Sequence, residues 1–465
     1  MLRVFDPRGR GDRRAFLAAG SLAAGGLFAG VGRSSAYAGG VPASLMSGKS
    51  VVFLFQHGGP SQIETFDPKP DAPVENRSAT GHIQTAIPGV RFGSTFEKLA
   101  RVADRLTIVR SFVTGDGNHD IKPVVGKATG GAALGSLYAR VAGSNVPRSG
   151  LPSNVLLFPR SVDASTGPEI NSFGRFDSAG TLGTGVAPFV PGAGSEVQQN
   201  LELRLPTDRL GDRRTLLSEL DRWRRSLDES PFDPLREQAF ETLLGGVGSA
   251  FDLTREDPAV VARYDTAPLV RPDQIDKKWN NYEHYVDHAK SLGKLMLLAR
   301  RLCEAGAGFV TVTTSFVWDM HADVNNATMT EGMRYVGSPF DHAVATFLED
   351  VEQRGLSDKI LLVCCGEMGR TPRINAKGGR DHWGNLAPLI LSGAGMPRGA
   401  VIGQSTRNGG EAATDPVTIP NLVATILQTQ FDHGALRLVP GLPAELIRAA
   451  TQEAIPLSSS RRGTP

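Results

Sequence analysis

The chain carries, at residues 51–60, the stretch VVFLFQHGGP, in which an apolar run leads directly into a glycine-rich turn. A short continuous apolar run bounded by turn residues is typical of a buried strand followed by a tight loop. Comparable runs predict further strands over residues 106–112, 155–159, 309–314, 360–364 and 386–392. This first strand and its loop are therefore expected to belong to a larger sheet.

Helical periodicity separates several of these strands, because apolar residues recur at spacings near 3.6. We predict helices over residues 208–228, 234–251, 287–306, 338–354 and 419–429. Strands that alternate with helices predict an α/β fold, with a mostly parallel central sheet covered by helices on both faces. Residues 171–200 are rich in Gly, Ser and Pro and are predicted to form an irregular insertion, followed by a helical insertion around 208–300.

Composition sets limits on the class of protein. The 465 residues are 40% hydrophobic and 21% charged, as in ordinary globular proteins. A net charge of +2 argues against a nucleic-acid partner, since such proteins usually carry a basic stripe. Cys303, Cys364 and Cys365 lie in apolar patterns and are predicted to be buried small hydrophobic residues rather than a disulfide framework.

The N-terminus has the pattern of an export signal. Arg13 and Arg14 precede a small-residue apolar run over residues 15–31, and the sequence AYA at 36–38 follows it. This pattern resembles a twin-arginine signal, which predicts a signal peptide at 1–38, a single domain at 39–455 and a loose tail at 456–465. The protein is then expected to be periplasmic or secreted, with the twin-arginine export machinery as a partner. An uncleaved helix that anchors the chain is the alternative.

Acids and imidazoles follow the predicted strands. His57 follows the first strand, Asp319 and His321 follow the strand at 309–314, and Glu367 follows the strand at 360–364. Ligands of such sheets bind beyond the carboxyl ends of the strands, so these side chains and His382 are predicted to share one site. Carboxylate and imidazole groups suit Zn²⁺, Mn²⁺ or a related divalent ion.

Each candidate also has a structural explanation. Asp319 and His321 are two residues apart and face the same side of an extended segment, yet a hydrogen-bonded acidic turn would show the same spacing. Asp323 and Asn325 extend this alternation, but the segment lacks the glycine and the glutamate of a calcium loop. His57 is equally consistent with a ligand and with a turn that merely needs glycine.

Other polar residues are ambiguous. His342 is expected to be structural, and His284 and His288 are expected to lie on an exposed helix. Arg370 and Lys377 suit either an anionic group or ordinary surface ion pairs. The sequence contains no Gly-x-Ser-x-Gly, Walker or Cys-x-x-Cys motif, which argues against serine hydrolases, nucleotide hydrolases and zinc ribbons.

Four motifs carry a resemblance to a known family. They are HGGPSQIETFDPKPD from residue 57, WDMH from 318, GEMGRTP from 366 and GRDHW from 379. Residues from about 50 to about 430 resemble an uncharacterised, twin-arginine-exported family of unknown function that is related to sulfatases and alkaline phosphatases. The resemblance implies an alkaline phosphatase/sulfatase-like fold.

The resemblance also implies roles for individual residues. Asp319, His321 and His382 would match the ligands of one metal of a two-metal site, and His57 would fall near the acid that follows the first strand. Glu367 takes the place of an aspartate. The loop at residues 118–120 would occupy the nucleophile region. Two departures accompany this match: Met368 stands where a histidine is expected, and residues 118–120 contain no Ser, Thr or Cys nucleophile.

These observations predict an exported metal-dependent hydrolase of sulfate or phosphate esters that uses a metal-activated water. The expected cofactor is a divalent ion (Zn, Mn or Ca), and the expected substrate is an anionic small molecule or a carbohydrate. Glu367 would be a ligand or general base, and Arg370 and His119 would contact the anionic group. The alternatives are a non-catalytic relative that binds a metal, a glycan or a protein, and a purely structural envelope protein.

Overall fold

The structure, a computed structural model, describes residues 43–147, 149–192 and 247–457. The proposed signal at 1–38, the predicted helix over 208–228 and most of the helix over 234–251 lie outside the described residues. None of the described helices has the length and apolar composition needed to cross a bilayer.

The described residues contain thirteen strands. In chain order they are β1 (Ser50–Phe55), β2 (His82–Gln84), β3 (Arg91–Gly93), β4 (Thr107–Val109), β5 (Phe112–Val113), β6 (Asn154–Leu157), β7 (Phe309–Thr313), β8 (Ile360–Cys365), β9 (Gly369–Arg370), β10 (His382–Trp383), β11 (Leu389–Ser392), β12 (Ala400–Ile402) and β13 (Val417–Thr418). Seven of them form the central sheet in the order β12-β4-β11-β8-β1-β7-β6, and the others form two-stranded ribbons.

The central sheet is mostly parallel, as predicted. β11 alone runs antiparallel to its neighbours β4 and β8. Parallel neighbours need a crossover connection, usually helical, whereas residues 366–388, all of which the structure describes, form no helix between β8 and β11. The chain therefore turns back at the rim, and β11 begins there. In the register of the sheet, Phe55 lies between Thr313 and Cys365, so β1, β7 and β8 end at the same level.

The described helices cover the sheet. They are α1 (Glu97–Arg101), α2 (Leu134–Ala142), α3 (Gly248–Phe251), α4 (Pro258–Tyr264), α5 (Tyr282–Glu304), α6 (Met329–Gly332), α7 (Ser338–Gln353), α8 (Ile419–Gln430), α9 (His433–Leu436) and α10 (Ala444–Ala450). A π-helical turn at Met333–Gly337 joins α6 to α7. The helices predicted over 287–306, 338–354 and 419–429 correspond to α5, α7 and α8.

Both faces of the sheet are buried, which confirms the predicted fold class. Val52 and Leu54 belong to the core that includes α5 and α7. Phe53 and Phe55 belong to the opposite core, which includes α2 and α8. Successive side chains of a strand point to opposite faces, so the continuous apolar run of β1 requires cover on both sides. The three cysteines are free and buried, also as predicted.

The strand predicted over 106–112 was wrong in extent, because it divides into β4 and β5. The guanidinium of Arg110 donates to the carbonyl of Phe66 at 2.7 Å, away from the sheet. Beyond it, β5 pairs with β13 rather than with a strand of the central sheet. This change of direction starts the loop that carries His119.

Candidate metal centre

Three parallel strand ends bring distant residues to one rim of the sheet. β1 leads into Gly58, β7 leads towards Asp319 and β8 leads into Glu367. Gly58 has φ of +111°, and a Cβ atom at this position would lie 2.6 Å from the backbone nitrogen of Asp319. Only glycine allows the two loops to approach this closely without strain.

A short ribbon and a long loop complete the rim. In the antiparallel ribbon of β9 and β10, His382 lies opposite Arg370. His119 arrives from the loop that follows β5, and its ring lies 4.3 Å, centroid to centroid, from the ring of His382. Residues from distant loops of the sequence therefore meet at one place.

His119, Asp319 and His382 form a group that could hold a metal ion, with one ligand atom from each residue and all of these atoms within 4.8 Å of one another. Nε2 of His119 lies 3.0 Å from Nε2 of His382, and each of these nitrogens lies 3.3 Å from Oδ1 of Asp319. Two donors bound at about 2.0–2.1 Å to a tetrahedral ion would lie about 3.3–3.4 Å apart. The triangle of donor atoms therefore has the size that such an ion requires.

The second oxygen of Asp319 has its own partners. Oδ2 lies 3.0 Å from Nε2 of His321 and accepts a hydrogen bond of 3.1 Å from the side-chain amide of Asn326. His321 is thus beside the group rather than within it. The sequence analysis did not predict the contact of Asn326 with Asp319. The alternation of Asp and Asn that begins at Asp319 and includes Asp323 indicated only that this loop is polar.

Arg370 is fully buried and directs its donors at protein oxygens. It contacts Oδ1 of Asp319 at 2.5 Å, donates to the carbonyls of Gly59 at 2.8 Å and Arg380 at 3.2 Å, and also donates to the carbonyl of Gly58. Burial alone would raise the pKa of Asp319. Arg370 and the three neighbouring histidines outweigh burial, and the pKa lies well below its ordinary value. In this arrangement Arg370 orients the carboxylate; its contact with an anionic group stays a prediction.

Glu367 lies behind His119. Its Oε1 is 2.9 Å from Nδ1 of His119 and accepts a hydrogen bond of 2.9 Å from the backbone N–H of Gly58. The side chain is completely buried, and burial raises its pKa despite the contact with His119. A carboxylate on the far nitrogen of an imidazole usually selects the tautomer of a metal-binding histidine.

His57 occupies a different environment. Its ring packs edge-on against Phe173, Phe176 and Phe316, with centroid distances of 5.6, 5.5 and 4.9 Å. It is 1% exposed, and burial lowers its pKa to about 3, with a further contribution from His119. Among the described residues, His57 is not part of the group that could hold a metal.

The remaining candidates lie around the site or away from it. Nε2 of His288 donates to the carbonyl of Val336 at 3.1 Å, so this histidine is buried rather than exposed as predicted. His284 is half-buried, and burial lowers its pKa, so it too is less exposed than predicted. The exposed carboxylate of Asp120 pairs with Lys122 at 3.0 Å. His342, as predicted, has a structural partner, the carbonyl of Arg263, at 2.7 Å.

The protonation of the group bears on what it can bind. If Nδ1 of His119 donates to Glu367, the lone pair of Nε2 faces an oxygen of Asp319 and a nitrogen of His382. Three lone-pair donors that converge need a proton or a cation between them. Burial lowers the pKa of His119, but the bonds with Asp319 and Glu367 outweigh it, and the net shift is upward. His382, with a side chain 38% exposed, leaves the group open to solvent on one side.

The fold and the site define an α/β protein with a candidate metal centre at the carboxyl rim of a mostly parallel sheet. The model of one family, described as "Protein of unknown function (DUF1501)", matches residues 48–446. The chain therefore belongs to this family, which confirms the family of unknown function predicted from the four motifs. A comparison with curated proteins gave no match.

Several solved structures are similar over most of the chain. The structure of Ps i-CgsB has a TM-score of 0.34 and 8% identity, covering 82% of this chain and 71% of that one. The phosphonate monoester hydrolase SpPMH from Silicibacter pomeroyi has a TM-score of 0.33 and 11% identity, with coverage of 82% and 73%. The alkaline phosphatase of the Antarctic bacterium TAB5 has a TM-score of 0.26 and 10% identity, with coverage of 78% and 96%. At these TM-scores the similarities carry no argument about activity.

Proposed function

We propose that the protein is a metal-dependent hydrolase of phosphate or sulfate esters, with His119, Asp319 and His382 as the ligands of one divalent ion. The observation that carries the proposal is the triangle of donor atoms, 3.0–3.3 Å on each side, on a rim that solvent reaches. Two imidazoles and one carboxylate favour Zn²⁺ or Mn²⁺ over Ca²⁺, which prefers oxygen ligands. When bound, such an ion would supply an activated water and polarise the ester oxygen.

In this proposal the surrounding residues hold the ligands. Glu367 keeps the proton of His119 on Nδ1, so that Nε2 is free to bind. Arg370 fixes Oδ1 of Asp319 in position, and His321 and Asn326 fix Oδ2. His119 is therefore assigned as a ligand of the ion rather than as a contact of the substrate's anionic group. Glu367 supports the ligand His119, and His321 supports the ligand Asp319.

Metal analysis tests the proposal directly. Purified wild-type protein should contain about one equivalent of zinc or manganese by mass spectrometry and should hydrolyse p-nitrophenyl phosphate or p-nitrophenyl sulfate. His119→Ala and His382→Ala should lose both properties. His433→Ala, which removes an exposed histidine on α9, is the matched control and should keep both.

The outcomes separate the candidate functions. Bound metal without turnover of either ester would favour a non-catalytic, metal-binding function. The contacts of Arg370 favour the same function, because its donors are bonded to protein oxygens. Wild-type protein that takes up no metal, even after incubation with zinc and manganese, would refute the metal centre altogether.

We also propose that the protein is exported by the twin-arginine route. The support is the sequence pattern of Arg13, Arg14 and the apolar run that follows them. Replacement of both arginines by lysine should leave the protein in the cytoplasmic fraction, whereas the wild-type chain should appear in the periplasm or medium. Equal export of both forms would contradict the assignment.

A further inference from the structure

A cleft of about 720 Å³ lies on the far side of the ribbon that carries His382. Its walls include Trp383, Pro372, Arg407, Asn408 and Glu411. The volume lies within the range of about 300–1,000 Å³ that is usual for small-molecule sites. None of these residues belongs to the candidate metal centre, so the cleft is a separate feature of the surface.

The ribbon connects the cleft to the metal centre. His382 and Trp383 are successive residues of β10, and successive side chains of a strand point to opposite faces. His382 faces Asp319, whereas Trp383 faces Gly410 and donates a hydrogen bond of 2.6 Å from its indole nitrogen to that carbonyl. One two-residue strand therefore forms a wall of both sites and holds them next to each other.

The loop that forms the opposite wall is held by its own hydrogen bonds. The backbone N–H of Thr406 donates to the carbonyl of Glu411 at 2.9 Å, and Oδ1 of Asn408 accepts from the backbone N–H of Gly410 at 3.1 Å. Arg407 donates to the carbonyl of Asp71 at 3.2 Å. The cleft is therefore formed before a ligand arrives, which lowers the cost of binding.

The chemistry of the walls indicates the kind of ligand. Trp383 and Pro372 supply apolar surface, while Arg407, Asn408 and Glu411 are exposed and supply hydrogen-bond donors and acceptors. The charges of Arg407 and Glu411 cancel, so the cleft does not select an anion. A sugar ring matches this combination, since its faces carry C–H groups and its edge carries hydroxyl groups that both donate and accept.

We propose that this cleft binds a neutral sugar ring of a glycan, next to the ring whose phosphate or sulfate ester lies at the metal centre. The proposal rests on the proposed function, because it names the class of substrate for the same site. It makes the chain a hydrolase of ester groups on oligosaccharides, and it assigns Trp383, Arg407 and Glu411 to the recognition of the neighbouring sugar.

Binding without turnover tests the cleft on its own. Wild-type protein is screened against an array of sulfated and phosphorylated oligosaccharides and their unsubstituted counterparts, and the tightest unsubstituted ligand, which carries no ester to be hydrolysed, is then measured by calorimetry. Trp383→Ala should weaken binding about tenfold or more, which is the usual scale for loss of one aromatic contact. Arg407→Ala and Glu411→Gln, which leave the ribbon unchanged, should each weaken binding several-fold. Arg407→Ala and Glu411→Gln should also keep the metal content and the turnover of p-nitrophenyl esters.

The outcomes distinguish this proposal from the proposed function. Wild-type protein that binds no member of the array, or cleft variants that bind as tightly as wild type, would overturn the cleft assignment even if aryl esters are hydrolysed. Glycan binding that depends on the cleft, in a protein without metal or turnover, would support the cleft and refute the hydrolase. If Arg407→Ala and Glu411→Gln each lost the bound metal, the cleft would serve the structure of the metal centre rather than the binding of a glycan.

Discussion

Replacement of Glu367 by glutamine tests how the metal centre is held together. The carboxylate lies behind His119, with Oε1 at 2.9 Å from Nδ1 of the ring and 2.9 Å from the N–H of Gly58. Glutamine has the same shape and keeps an oxygen for both contacts, but it removes the negative charge. The imidazole then becomes a weaker ligand, while the local packing stays the same.

The expected magnitude follows from these contacts. Loss of a hydrogen-bond partner behind a ligand typically lowers metal affinity about 10–100-fold, or about 1.4–2.7 kcal/mol. Because Glu367→Gln retains the hydrogen bond, we expect the lower end of this range, and we expect the upper end for Glu367→Leu, which removes it. Stability should change little in Glu367→Gln, because the burial that raises the pKa of Glu367 also makes its charged form costly, and this cost offsets the lost interaction of the charge with His119.

The assay is a zinc competition titration against a chromophoric chelator, with urea unfolding as the control for stability. Glu283→Gln, an exposed substitution on α5, should match wild type in both measurements. Unchanged zinc affinity in Glu367→Gln and in Glu367→Leu would refute the idea that Glu367 supports a metal-binding His119. A fall in stability without a change in affinity would show that the residue serves packing alone.

Three further predictions concern stability. Glu64→Gln should lower the free energy of unfolding by about 3–5 kcal/mol, because the fully buried Arg380, now paired with Glu64 at 2.8 Å, would keep an uncompensated charge. Burial lowers the pKa of His288 to about 4, so the folded state favours the neutral ring. As pH falls from about 6.5 towards 4, His288 should therefore lower the free energy of unfolding by up to about 3 kcal/mol. Gly58→Ala should cost at least about 1–3 kcal/mol, because φ is +111° and the new methyl group would meet Asp319.

Urea unfolding measures all three changes, each with its own comparison. Arg380→Met combined with Glu64→Gln should recover part of the lost stability, and no recovery would contradict the ion-pair explanation. His288→Gln should show a flatter pH profile than wild type; parallel profiles would exclude His288 as the source. Gly89→Ala is the control for Gly58→Ala, since Gly89 also has positive φ but has no atom within 4 Å of the added methyl group. Equal losses at the two glycines would exclude the close approach to Asp319 as the cause.

The fold could be predicted in outline because burial on two faces leaves a direct trace in the sequence. β8 and the part of β1 after Ser50 are continuous apolar runs, and such runs occur where a strand is covered on both sides; β7 reads FVTVT and is also buried along its whole length. Strand ends are harder to predict. The run over 106–112 divides because the side chain of Arg110 is held by the carbonyl of Phe66, a contact between segments that local sequence does not specify.

The candidate site was predictable only in part. Asp319, Glu367 and His382 were expected to lie close together because loops after parallel strands meet at one rim, and the structure places them there. His57 follows the same rule in the sequence, yet its ring is enclosed by phenylalanines from distant loops. His119 lies on a loop without secondary structure, and its proximity to His382 depends on how that loop crosses the rim.

The sequence by itself determined the layered architecture and the residue types that gather at the rim, since both follow from local polarity and from the alternation of strands and helices. Only the tertiary structure decided which imidazoles share Asp319 and that Arg370 is turned inward onto its carboxylate. The physical reason is that hydrophobic periodicity acts over a few neighbouring residues, whereas a hydrogen bond of about 3 Å between loops requires every intervening segment to be in place.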